Sequence, residues 1–215
     1  MQGTVDGFTH GPVMPVLAFL VACLGAALGL RLTVRSRPTE RSFGTGRLAL
    51  GALFIGSGIW TMHYVAMRGF TVQEAPLSHD RPYILAGLAV AVVMAGVGLF
   101  IVGYRGATRM ALITGGALTG LGIASTHYLG MAGIRFRGHF TYETPLVVLS
   151  VLIAAAAATA ALRASLSARV LLSGLGAGVM MALAVTGMHY TGMAALDVHL
   201  HPAVSGPAAD GLPPD

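Results

Sequence analysis

The chain has 215 residues, 55% of them apolar and only 10% charged, with 30 glycines and a formal net charge of +5. A mean hydropathy of +0.75, with charge confined to short segments between long apolar runs, excludes an ordinary soluble domain. The basic balance comes from 13 arginines that flank apolar runs without interleaved aromatics, which excludes a nucleic-acid-binding surface.

The first apolar run, Val13 to Leu30, is preceded by Asp6 and His10 rather than by a positive segment, and is followed by Arg31, Arg35, Arg37, Arg41 and Arg47. That order predicts an uncleaved first span rather than a signal peptide. Cys23, the single cysteine, lies inside it, so no internal disulfide forms. A helical crossing needs about 20 apolar residues at about 1.5 Å each. Six windows qualify, at 13–34, 46–68, 83–104, 109–134, 145–163 and 169–196, and no acidic residue interrupts them before Asp197. The segment 202–215 is rich in Pro, Gly and Ala without apolar period and is expected to be a disordered tail, leaving 1–201 as one all-α integral membrane domain.

Arginine placement sets the orientation. The connections between spans 1–2, 3–4 and 5–6 hold nine arginines (31, 35, 37, 41, 47, 105, 109, 163 and 169) and one acid, Glu40. The termini and the other two connections hold four arginines and seven acids. The positive-inside rule therefore predicts both termini outside, with all eight histidines in or beyond the outer half.

The chain also repeats itself. WTMHYVAM (60–67), IASTHYLGM (123–131) and VTGMHYTGM (185–193) align at His63, His127 and His189, which are 127 − 63 = 64 and 189 − 127 = 62 residues apart. Each copy is an inward helix followed by an outward helix that carries the motif near its outer end. Two-span copies keep their orientation, so three of them predict a pseudo-threefold axis along the membrane normal. Small residues stand seven (Gly56, Gly120, Ala182) and eleven (Ala52, Gly116, Gly178) positions before the histidines. They predict close approach of helices 2, 4 and 6 along a central seam, with the odd helices outside.

The shared pattern His-Tyr-x-x-Met puts His and Met on one helical face, a turn apart. His63, His127 and His189 with Met67, Met131 and Met193 form candidate trigonal ligand layers, and Met62 and Met188 are possible additions that Thr126 replaces in the middle copy. Imidazole and thioether together suit a soft or borderline metal, copper first, with other transition metals as alternatives. Haem is a further alternative, since His and Met are both axial ligands, but three ligand sets fit a small ion better than a macrocycle taking two. Tyr64, Tyr128 and Tyr190 are candidate partners of a neighbouring helix's histidine or interfacial anchors. Single intramembrane histidines also serve as helix–helix hydrogen-bonding groups and methionines as core filler; three equivalent copies at one depth favour the metal.

On these residues the chain resembles the bacterial MHYT-domain family. Met188-His189-Tyr190-Thr191 is the literal motif, and Met62-His63-Tyr64-Val65 and Thr126-His127-Tyr128-Leu129 depart from it at one or two positions. The resemblance covers about residues 10–197. It implies a multi-pass domain of the bacterial cytoplasmic membrane that senses O2, CO or NO through a motif-bound metal, copper in particular, often joined to cyclic-di-GMP enzymes or histidine kinases. With the C-terminus outside, a cytoplasmic output is reached through a further helix or a partner membrane signalling or oxidase protein.

The expected function is a metal-binding sensory module for a diatomic gas. A membrane redox metalloenzyme and a copper-handling accessory protein are the alternatives. No acidic general base accompanies the motif, so hydrolysis is not expected, and the missing intramembrane carboxylates argue against a proton-coupled carrier. A cysteine placed in the Arg31–Arg47 connection is expected to resist an impermeant thiol reagent in intact cells. Labelling from outside would reverse the orientation.

Overall fold

Helix follows wherever the apolar runs extend without interior proline. In the computed structural model, which describes residues 5–6, 11–34, 41–72, 76–167 and 171–200, six helices form: α1 (Val13–Val34), α2 (Arg41–Met67), α3 (Arg81–Arg105), α4 (Arg109–Ala132), α5 (Thr144–Ser167) and α6 (Leu171–Ala194). Their bounds follow the expected windows closely. The prolines near their starts, Pro15, Pro82 and Pro145, sit in the first turn of α1, α3 and α5, where the missing N–H costs nothing. Between α3 and α4 the chain turns on Gly106, at φ 70°, and Thr108 caps α4 by accepting from the Ala111 N–H at 3.2 Å.

Four of these helices are long and apolar enough to cross a membrane: Val13–Leu32, Gly44–Met67, Arg81–Arg105 and Thr144–Leu166. Helices α4 and α6 have 24 residues each, about 36 Å of helix, but carry more glycine, threonine and histidine. The expected tail at 202–215, with His10, His201, Arg35, Arg37 and Arg169, lies outside the described residues.

Each helix packs on its chain neighbours, α6 closes on α1, and α2, α4 and α6 also touch one another inside the ring. The small residues do something other than expected. Rather than facing a central seam, they seat the next helix around the ring. A methyl on Gly56 would meet Val92 of α3 and one on Gly120 would meet Ala155 of α5, each at 2.5 Å from Cα; one on Gly178 would meet Ala27 of α1 at 2.8 Å. Within pairs, Gly25 faces the Phe54 carbonyl and Gly58, and Gly98 faces Gly115 and Thr119. Backbone contact of this kind replaces the hydrophobic drive that helices lack in lipid.

The odd helices are not alone on the outside. Leu20 and Leu24 of α1, Leu50 and Leu53 of α2, Val93 of α3, Leu121 of α4, Leu152 of α5 and Leu183 of α6 are all exposed. Every helix thus presents aliphatic side chains outward.

At the motif end, short antiparallel ribbons that the apolar pattern does not predict tie the helices together. β1 (Val5–Asp6) pairs with β2 (Thr71–Val72), β3 (Ser78–His79) with β4 (Ile134–Arg135), and β5 (Gly138–Tyr142) with β6 (Leu196–Leu200). Each joins the strand before an odd helix to the strand after the next even one. Beneath them lies a second apolar cluster of Met67, Phe70, Val72, Met131, Ile134 and Val198, separate from the main interhelical core.

Gly120→Val is expected to lower thermal stability sharply, because its side chain has only the Ala155 backbone to enter. Gly46→Ala, with nothing within 4 Å of the added methyl, is expected to be neutral or to stabilise by up to about 1 kcal/mol. Melting of the detergent-solubilised chain followed by circular dichroism separates the two.

Candidate metal centre

His63, His127 and His189 stand four residues before Met67, Met131 and Met193, near the ends of α2, α4 and α6. Because those helices meet inside the ring, the three imidazoles converge in the interior, each only 1–2% exposed. Their Nδ1 atoms form a triangle with edges of 3.0 Å (His127–His189), 3.3 Å (His63–His189) and 3.3 Å (His63–His127). The rings stand nearly perpendicular pairwise, at 81–88°, in a propeller.

Hydrogen bonds alone do not satisfy this triangle. Each Nδ1 of a neutral imidazole carries either a proton or a lone pair. With three nitrogens and two choices, two protons or two lone pairs always face each other at about 3 Å. A cation receiving three lone pairs removes the conflict. A triangle averaging 3.2 Å has its centre about 1.9 Å from each corner (edge divided by √3), close to the ~2.0–2.1 Å of metal–imidazole bonds. These are also the only three ligand-type side chains of His, Cys, Asp or Glu that cluster closely enough to hold an ion among the described residues. The donor set fits a metal.

With Nδ1 facing inward, Nε2 faces outward onto the next helix. His63 Nε2 lies against Gly130 of α4, where a methyl group would overlap it, and His127 Nε2 lies over Gly192 of α6, 2.7 Å from where a methyl would stand. Both glycines are three residues after a motif histidine, and Ala66 holds the same place in α2. The signal for this position in the sequence is the small residue at His+3 that recurs in all three copies. His127 Nε2 is buried and has no hydrogen-bond partner among the described residues.

The methionines divide into two levels. Met67, Met131 and, half-buried, Met193 gather in the cluster under the ribbons. Met62 and Met188 are buried in the main core. In the middle copy Thr126 donates to the Gly122 carbonyl at 2.8 Å and to Gly87 of α3 at 3.3 Å. Tyr64, Tyr128 and Tyr190 each stand edge-on to the preceding histidine, with centroids 4.8–5.0 Å apart. The Tyr128 hydroxyl pairs with Ser150 of α5 at 2.9 Å.

Burial pushes the Tyr142 phenol up to about 12, with Tyr128 adding to the effect, and partial burial lowers His79, beside Tyr64, below its ordinary value. At the rim Asp80 holds Arg135 through an ion pair of 2.7 Å, and its hydrogen bond raises the already high guanidinium value.

Compared with known proteins, the chain matches the MHYT family, described as the bacterial signalling protein N-terminal repeat, in two copies at 56–115 and 120–178. It is 36% identical, over 91% of its length, to the cyclic di-GMP phosphodiesterase NbdA of Pseudomonas aeruginosa, covering 26% of that protein. It is 34% identical over 87% of its length to the bifunctional diguanylate cyclase/cyclic di-GMP phosphodiesterase MucR of the same organism, covering 28% of it. Over 89% of its length it is 31% identical to the signalling protein YkoW of Bacillus subtilis, covering 24% of that protein. The chain thus spans about a quarter of the length of these curated relatives. No solved structure matches it significantly.

Gly130→Val is expected to push the His63 ring off its seat and weaken metal binding about 10- to 100-fold, the range for losing a ligand's support. Competition against a chromophoric chelator measures this. Unchanged affinity would mean that the ring finds its place without the glycine.

Proposed function

Since the chain belongs to the MHYT family of bacterial signalling proteins, we propose that it is a membrane metal-binding sensory module. Its His63–His127–His189 centre takes copper and presents it to a diatomic gas, O2, CO or NO. The observation that carries the proposal is the Nδ1 triangle, whose three lone pairs call for a cation. Bound there, copper supplies a Lewis-acidic coordination position for a small neutral ligand.

The chain's residues do the rest. The three histidines hold the ion from three different helices, while Gly130 and Gly192 admit the backs of two of the rings. Met67, Met131 and Met193 lie one turn outward as soft ligands or as an apolar cover, with Met62 and Met188 on the inner side. The tyrosines support the rings edge-on. An apolar interior excludes water and admits neutral gases, which partition into lipid.

We place all six helices across the bacterial cytoplasmic membrane, as three two-helix copies about a pseudo-threefold axis, with both termini outside. Aliphatic side chains exposed on every helix support six spans, and the arginine distribution supports the orientation. Each copy contributes one histidine, so a change in the centre's ligands shifts three helix pairs relative to one another, a motion that an attached or partner signalling module reads. The names of two relatives, a cyclic di-GMP phosphodiesterase and a bifunctional diguanylate cyclase/phosphodiesterase, point to cyclic-di-GMP turnover as that output.

Purified in detergent without chelator, the chain is expected to hold about one copper ion by mass spectrometry. His63→Ala, His127→Ala and His189→Ala together are expected to abolish it. CO or NO is expected to alter the spectrum of the loaded protein only. Equal metal content in both forms would make the histidines helix–helix contacts and end the sensor reading.

A further inference from the structure

The two ends of the helix ring differ in charge. Every acid among the described residues lies at the motif end: Asp6 on β1, Asp80 before α3, Glu143 before α5 and Asp197 on β6. Arg68, Arg81, Arg135 and Arg137 accompany them there. At the other end stand Arg31 in the last turn of α1, Arg105 and Arg109 either side of the α3–α4 turn, and Arg163 near the end of α5, all exposed. No described acid shares that end with them.

The α3–α4 turn fixes two of these arginines in place. Only Gly106, Ala107 and Thr108 separate the helices, and the chain reverses at Gly106 with φ 70°. Since α3 is long and apolar enough to cross a membrane, Arg105 and Arg109 stand where its apolar run ends. The first turn of α4 holds no acid to answer Arg109. Beside the two arginines the surface is apolar or amphipathic, with Tyr104 60% exposed and Met110 71%. Tyr104 stacks on Phe100 at 5.8 Å and shares a hydrogen bond of 2.7 Å with the Thr45 hydroxyl. A ring lying on apolar surface with its hydroxyl on a polar group suits a membrane interface. A turn this short keeps both guanidiniums at headgroup level.

We propose that this end is a binding surface for anionic phospholipid, centred on Arg105 and Arg109 and extended by Arg31 and Arg163. A guanidinium forks its N–H donors onto phosphate oxygens. The acyl chains then lie along the exposed flank that begins at Tyr104 and Met110. A bias in charge suffices to orient the chain; the two arginines beside an exposed apolar flank add a place for a headgroup. A soluble anion would answer the charge alone, whereas a lipid answers the charge and the flank together. The surface rests on α3 crossing a membrane and is independent of what the histidines hold.

The test uses the full chain in neutral detergent, titrated with phosphatidylglycerol or phosphatidylcholine and read lipid by lipid by native mass spectrometry. The parent is expected to bind phosphatidylglycerol about 25-fold more tightly, about fivefold for each of the two arginines. Arg105→Gln/Arg109→Gln is expected to bring the two lipids to about the same affinity. Arg105→Lys/Arg109→Lys, which keeps the charge, is expected to retain most of the preference. Arg68→Gln/Arg137→Gln, an equal change of charge at the motif end, is expected to retain all of it. Equal affinity of the parent for the two lipids would overturn the proposal, as would equal losses in the two glutamine variants. Displacement of phosphatidylglycerol by an equal concentration of inorganic phosphate would also overturn it, leaving a phosphate site.

Discussion

Three imidazole nitrogens facing one another at about 3 Å in an apolar interior are the constraint on which the rest of this structure depends. Water cannot relieve it, because the rings are buried, and protons cannot, because three binary sites always leave one like pair. A positive charge shared by all three relieves it, and the group could hold a metal ion. Everything near it serves to bring three rings to one point and keep them there.

The helices do this by dividing their surfaces. Glycines and alanines toward the neighbouring helix let backbones touch around the ring, so that α2, α4 and α6 approach closely enough for imidazoles to meet without a continuous inner seam of small residues. Gly130 and Gly192 then act at short range. By lacking a side chain they leave room for the outward edge of a neighbouring histidine, which turns Nδ1 rather than Nε2 toward the centre. The polar content of α4 and α6, which lowers their hydropathy, is partly turned inward by the same arrangement: Thr119 and Thr126 return hydrogen bonds to carbonyls of their own helix.

The ribbons close the motif end. Each pins the open end of one helix pair, and together they cover Met67, Met131 and Met193, so that the centre lies under an apolar lid rather than in a solvent funnel. Membership of a family of signalling domains fits a site built this way. A centre held by three helix pairs is placed to couple its middle to all of them, and the relatives named for cyclic-di-GMP chemistry are more than three times as long as this chain.

Much of this was legible in the residues. Six apolar runs, free of interior acids, determined six helices and nearly their ends, because a helix satisfies the backbone of a long apolar run from within. The 64- and 62-residue spacing of His63, His127 and His189 identified the centre, since repeated copies put equivalent residues at equivalent depth. What periodicity cannot say is which way a face turns once helices pack. The small residues at 56, 120 and 178 belong to the contacts around the ring, and the socket at His+3 emerged only when neighbouring helices were in place. The ribbons are not legible in the sequence because strands of two to five residues at helix ends carry too little alternation, and because their pairing joins residues 54 to 67 apart in the chain. The sequence by itself determined the helices and the three histidines that meet. Only the tertiary structure decided which nitrogen faces the centre, because that depends on the backbone of a helix distant in sequence.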